Sequence, residues 1–191
     1  DVLKIKPGEE ILRAKAPALL TAMVGLTDDP ARQAQYNTEL CFAQYGSAVV
    51  CGGPASGKTN FLLTVSISLI HLYPPERVRM YFMDGGSGAL KSLEQFPHTA
   101  RMLNVHAQPE DCAKIFIQLQ NEVKIRQQKF TARGVQDIIS YRKLTGETIP
   151  DILLTIDDVG EVKKSLESVR PGNVVETIAY LLKFGSANGI Y

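Results

Sequence analysis

Ser47-Ala48-Val49-Val50-Cys51-Gly52-Gly53-Pro54-Ala55-Ser56-Gly57-Lys58-Thr59 runs from an apolar segment through a glycine-rich turn into the start of a helix. The run 47–51, bounded by glycines, has the character of a strand covered on both faces. Gly52 to Thr59 matches G-x-x-x-x-G-K-[ST], the loop that cradles phosphate groups. Glycines let the backbone curl so that successive N–H groups point at phosphate oxygens, and the helix behind the loop adds the positive end of its dipole. Lys58 reaches the outer phosphates and neutralises charge on the transferred group, while the Thr59 hydroxyl can hold Mg²⁺. The expected nucleotide contacts are therefore Gly52, Gly53, Pro54, Ala55, Ser56, Gly57, Lys58, Thr59 and Asn60. Phe61, Leu62, Val65, Leu69 and Leu72 then recur at helical spacing, which predicts a helix from Lys58 to Leu72, stopped by Pro74-Pro75.

Working outward, Val78 to Met83 is a second apolar run, ending in Asp84 and the turn Gly85-Gly86-Ser87-Gly88. Residues 101–107 suggest a short third strand. A long helix is expected from Pro109-Glu110-Asp111 to about Arg133, its acidic start suiting the helix dipole. A shorter helix spans about Val135 to Leu144, and Ile152 to Ile156 forms another fully apolar strand that terminates in Asp157-Asp158. A last helix lies near Val174 to Phe184. Upstream, residues 1–45 mix apolar patches with turn-formers such as Pro7-Gly8 and Asp28-Asp29-Pro30, and suggest an extended arm with one edge strand, Thr38 to Phe42. Strands that are apolar throughout, alternating with helices, predict an α/β fold: a mostly parallel sheet sandwiched by helices.

Composition sets the boundaries of function. The 191 residues are 45% apolar and 21% charged, which excludes disordered and fibrous classes. With 21 basic against 20 acidic residues the net charge is +1, so composition offers no bulk attraction to nucleic acid. Cys41, Cys51 and Cys112 share no metal or redox spacing and read as reduced thiols; His71, His98 and His106 share no ligand spacing. No apolar run approaches the roughly 20 residues of a membrane-spanning helix. The first residue is Asp and an apolar run begins at Gly189-Ile190-Tyr191, which suggests a piece of a longer polypeptide.

Three carboxylates complete the chemistry. Asp157, at the tip of a buried strand, is the expected partner of the loop, binding magnesium through water, unless it only caps a turn or helix. The separation from Lys58 to Asp157 leaves room for an additional strand between the motifs, the arrangement of RecA-like ATPases in which the next acidic residue polarises the attacking water. That residue is Asp158, where Glu is usual. It is shorter by one carbon, and misplacement by roughly 1 Å can cost on the order of a hundredfold in rate. Slow hydrolysis, or none, is the expectation. Glu161 is an alternative base or a solvated helix residue, and Asp84 either faces the nucleotide edge of the sheet or caps the next helix.

Several segments together resemble one family. Val24-Gly25-Leu26-Thr27-Asp28-Asp29-Pro30 with Gln33 and Gln35, then Tyr81-Phe82-Met83-Asp84-Gly85-Gly86 with Leu90, Leu93 and Phe96-Pro97-His98, are similar to the FtsK/SpoIIIE-like ATPases of type VII secretion, the EssC/EccC type. Arg126, Phe130, Gly134, Ile138, Tyr141-Arg142 and Ile149-Pro150 continue the likeness. The resemblance implies a P-loop NTPase module of residues 46–191, incomplete at its C-terminal strands, behind a lead-in of residues 1–45, most like the second of several tandem modules. It implies ATP and Mg²⁺ as cofactors, with tight binding and poor hydrolysis in the later modules. It further implies neighbouring ATPase modules in the same polypeptide, assembly into a homo-oligomer such as a hexamer, and export of small helical-hairpin proteins. The place is the cytoplasmic side of a bacterial membrane, with membrane contact made only by other parts of the chain. A DNA translocase module of the same superfamily and a non-hydrolysing nucleotide-bound scaffold are the competing readings; the near-neutral charge and the lead-in favour secretion.

Overall fold

The computed structural model of the chain describes residues 16–169 and 174–191. The turn expected at Pro7-Gly8 lies outside them. Among the described residues two strands come first, β1 (Thr21–Asp29) and β2 (Ala34–Cys41), paired antiparallel from Thr21↔Cys41 to Asp29↔Ala34. The lead-in thus carries a hairpin where the sequence suggests a single edge strand. The reason is exposure: six of the eight residues of β2 face solvent, so neither strand is obliged to alternate apolar with polar. Backbone pairing and the turn at Asp29-Pro30, closed by Arg32 N–H donating to the Asp29 carbonyl at 3.2 Å, set the hairpin instead.

After α1 (Phe42–Tyr45) comes α2 (Lys58–Leu72), which buries Val65, Leu69 and Ile70 and ends at Tyr73, held extended by the proline that follows. Strand β3 (Val78–Asp84) leads through a short 3₁₀ turn, Ala89–Leu93, into β4 (Thr99–Asn104). β4 begins and ends earlier than the expected 101–107 because the Asn104 side-chain oxygen accepts the N–H groups of His106 and Ala107, both at 3.0 Å, and turns the chain out of the sheet. The long helix α3 (Pro109–Ala132) is as expected. α4 (Ile138–Thr145) starts three residues late, since the Asp137 carboxylate caps it by accepting from Ser140 N–H at 2.8 Å. β5 (Asp151–Asp157), α5 (Val159–Val169), α6 (Val174–Phe184) and a 3₁₀ turn, Ser186–Asn188, follow, α5 being a helix that periodicity did not single out.

The sheet runs β4–β3–β5, all parallel, with Asp84 opposite Asp157 at its C-terminal edge. Helices cover both faces, as apolar parallel strands require. Met80 and Phe82 point to a core shared with Val65 and Leu69 of α2, with Leu20 and with Ala22 of β1. Tyr81 and Met83 point oppositely, into Ile115, Phe116, Leu119 and Val123 of α3 and Val162 and Leu166 of α5. The α/β sandwich is thereby built from the alternation of strand side chains.

One strand expectation fails. The run 47–51 joins no ladder, and Val49 is 78% exposed. The free edge of β5 is taken instead by the chain end: Ile152 N–H donates to Gly189 C=O, Tyr191 N–H to Ile152 C=O and Leu154 N–H to Tyr191 C=O, at 2.8 to 2.9 Å. The run lines, with Leu154 and Ile156 of β5, a cleft of about 860 Å³. Among the described residues no helix is long and apolar enough to cross a membrane.

Candidate functional site

The cleft opens at the C-terminal edge of the sheet, where Gly52, Lys58, Thr59, Ser87, Asp157 and Asp158 meet at its rim. In open α/β sheets this edge is where ligands bind, because loops and helix N-termini converge there. The loop 52–57 is shaped by backbone geometry: Gly57 sits at φ 90°, a left-handed conformation that glycine adopts without strain, and Ala55 at φ 57°. No side chain caps α2, so its first-turn N–H groups face outward with the positive dipole end. The Lys58 ammonium donates to the Gly52 and Gly53 carbonyls at 3.0 and 2.7 Å, which draws the loop into a ring. Asn60 is exposed in the first turn of the helix.

The two motifs meet across 98 residues of sequence. The Thr59 hydroxyl lies 3.1 and 3.2 Å from the two Asp157 oxygens and donates to that carboxylate. Thus the structure brings Lys58, Thr59 and Asp157 to one rim. It also brings Ser87, which the motif reading did not place, and Asp84, for which the nucleotide edge was one of two readings. The Ser87 hydroxyl donates to Asp157 Oδ2 at 3.0 Å, and Asp84 accepts the N–H groups of Gly86 and Gly88 at 2.7 and 3.1 Å. The signal for both lay in Asp84-Gly85-Gly86-Ser87-Gly88, a strand-tip carboxylate followed by a turn; what no sequence shows is that β3 and β5 are adjacent and in register there.

Asp158 is engaged differently. At φ 65° its Oδ1 accepts the Glu161 N–H at 3.1 Å, so its carboxylate caps α5. Glu161 pairs with Lys164 at 2.6 Å and lies 3.8 Å from His106 Nε2. The same nitrogen is 3.0 Å from the Gly85 carbonyl, which can only accept, so Nε2 carries the proton. Gly85 itself packs against the site: a Cβ there would stand 2.7 Å from the Asp157 carbonyl oxygen.

A divalent cation fits these residues. Thr59 and Asp157 offer the cation only oxygens, a hydroxyl and a carboxylate, which suits a hard ion such as Mg²⁺. Asp84, opposite Asp157 in the strand register, keeps its buried Oδ2 without a hydrogen-bond donor among the described residues. Thr59 and Asp157 are the residues that would hold the ion.

Comparison with known proteins follows the same lines. The sequence profile of the FtsK/SpoIIIE family matches residues 20–180. The type VII secretion system protein EssC of Staphylococcus aureus is 32% identical over 142 residues, 74% of this chain and 10% of its own. The cytoplasmic domain of the type VII secretion ATPase EccC of Thermomonospora curvata superposes with a TM-score of 0.76 at 28% identity, covering 90% of this chain and 20% of the other. ATPases 2 and 3 of the same EccC, solved with a signal sequence peptide, give a TM-score of 0.70 at 27% identity over 94% of this chain and 36% of that one. The chain spans between 10% and 14% of the length of the curated relatives it matches.

Proposed function

The chain belongs to the FtsK/SpoIIIE family, and from that membership we propose that it is a Mg-ATP-binding module of a type VII protein-secretion motor, with slow hydrolysis. The observation that carries the reading is the meeting of Thr59, from the phosphate loop, with Asp157, from the tip of a buried strand. In this role the curled loop and Lys58 bind the phosphates, and Thr59 and Asp157 hold the cation. Bound Mg²⁺ supplies charge neutralisation on the phosphate oxygens.

Slow hydrolysis follows from Asp158. Its carboxylate is one carbon shorter than the usual Glu, and one of its oxygens, Oδ1, is engaged in capping α5. A capping oxygen is not free to align water, so the module holds nucleotide longer than it turns it over. The phosphate loop reads phosphates and leaves the base unread, so ATP is assigned here through the family.

The likeness to EccC ATPases 2 and 3, together with the Asp28-Asp29-Pro30 lead-in, supports a later module of a tandem array, most like the second, with residues 1–45 as lead-in and 46–191 as the nucleotide domain. Its partners in this reading are the adjoining ATPase modules, further copies of the same motor in a homo-oligomer such as a hexamer, and exported helical-hairpin proteins. The motor works at the cytoplasmic side of a bacterial membrane, reached through other parts of the polypeptide. Calorimetric titration with ATP and Mg²⁺, run beside a phosphate-release assay, tests the proposal. Binding with little release is expected; absence of binding overturns it, and rapid release removes the slow-hydrolysis part.

A further inference from the structure

We propose that Ser87 is the positioning residue of the Asp157 carboxylate, and that Asp84 acts through it. The inference rests on the Mg-ATP reading above and names how the magnesium end of that site is held.

A serine hydroxyl has one proton to give. Ser87 Oγ stands 3.0 Å from Asp157 Oδ2 and 3.5 Å from Asp84 Oδ1, and it accepts the Ala89 N–H at 3.2 Å. Both carboxylates are acceptors, so the proton goes to the nearer one, Asp157, while the Ala89 amide fixes the hydroxyl from the other side. Among the described residues the Asp157 side chain has two hydrogen-bond donors, Thr59 and Ser87, and no ion pair. Thr59 belongs to the cation site itself. Ser87 is therefore the donor whose single task is orientation.

Asp84 makes that placement possible. Its Oδ1 gathers the N–H groups of Gly86 and Gly88, folding the loop back over the tips of β3 and β5. Gly86 at φ 121° and Gly88 at φ 69° supply the backbone that such a fold needs, and Ser87 between them is aimed at Asp157. Asp84 is 4% exposed and faces Asp157 in the strand register, so the loop is anchored in the sheet rather than in solvent.

Partners that orient a metal-binding side chain typically govern about 10–100-fold of metal affinity. ATP binding to the whole chain is titrated by calorimetry in EDTA and across a series of free Mg²⁺ concentrations. Ser87→Ala is expected to raise the half-saturating Mg²⁺ concentration about tenfold, with the metal-free titration shifting less than about twofold. Ser87→Thr restores the hydroxyl and the Mg²⁺ response. Asp84→Ala reproduces the Ser87→Ala loss, and the double variant loses no more than either single one, because the two act in series. A Ser87→Ala titration that superimposes on the wild type, or a loss that Ser87→Thr leaves unrepaired, overturns the inference while the nucleotide site stands. Wild-type chain that binds no ATP overturns both.

Discussion

β5 carries an aspartate at each end, Asp151 where the strand enters the sheet and Asp157 where it leaves, and their surroundings are opposite. Asp151, 1% exposed, sits among guanidinium groups: Arg142 is 3.0 Å from one oxygen and Arg77 4.0 Å from the other. The Arg142 contact is short enough to be a charge-assisted hydrogen bond as well as an ion pair, while Arg77 acts from farther off as an ion pair. Burial pushes the Asp151 carboxyl up, and Arg142, Arg77 and Arg126 pull it back. Asp157, 8% exposed, accepts from two hydroxyls and lies opposite Asp84 in the strand register, and among the described residues no cation pairs with it. Lys58, the basic residue at that rim, is turned to the Gly52 and Gly53 carbonyls. An acid whose charge is already matched holds the fold together; an acid left unmatched at the ligand edge is one that awaits a cation.

The strongest test of that contrast is at the arginine end. Asp151→Ala leaves Arg142 and Arg77 without their anion and should lower unfolding free energy by about 3–5 kcal/mol, read from the urea midpoint. A loss below about 1 kcal/mol would erase the distinction between the two ends. At the ligand edge, Lys58→Ala should weaken ATP binding about a hundredfold in calorimetry while leaving the urea midpoint in place. Normal ATP binding by that variant would remove the site assignment.

A third test sharpens the difference between the open cleft and the covered face of the sheet. Cys51 is exposed on the run that enters the phosphate loop, whereas Cys112 lies buried in the first turn of α3 and burial pushes its thiol up to about 11. A raised folded-state value means that the protonated thiol favours folding. That contribution is full below the ordinary 9.0 and is lost as pH rises through about 11. Alkylation at pH 8 should therefore modify Cys51 and spare Cys112, and stability should fall between pH 9.0 and about 11; equal labelling of both would contradict the burial. The smallest change is expected from Asp158→Asn, which keeps the capping oxygen: stability should move by less than about 0.5 kcal/mol and phosphate release by less than about twofold. A collapse of release would show that Asp158 does polarise water.

How much of this was readable in the chain depends on the range of the interaction. Lys58, Thr59 and the loop stand in one contiguous stretch, and the apolar runs at 78–83 and 152–156 are continuous because both faces of a central strand are covered. Helices α2, α3 and α6 show themselves by spacing for the same local reason. The hairpin of β1 and β2 did not, since its exposed residues carry no burial pattern, and α4 and α5 began where side-chain caps at Asp137 and Asp158 dictated.

The sequence alone determined the α/β class, the phosphate loop and the two acidic strand tips, because each rests on neighbours in the chain or on a repeating burial requirement. The tertiary structure decided which groups meet. Ser87 and Thr59 converge on Asp157 from 70 and 98 residues away, Asp84 stands beside it by register, and the run 47–51 stays off the sheet while Ile190 and Tyr191 take the edge of β5. The physical reason is that a hydroxyl bound to a carboxylate, or a strand bound to a free edge, is selected by distance in space and by competition for a limited set of donors and acceptors. No local pattern encodes either.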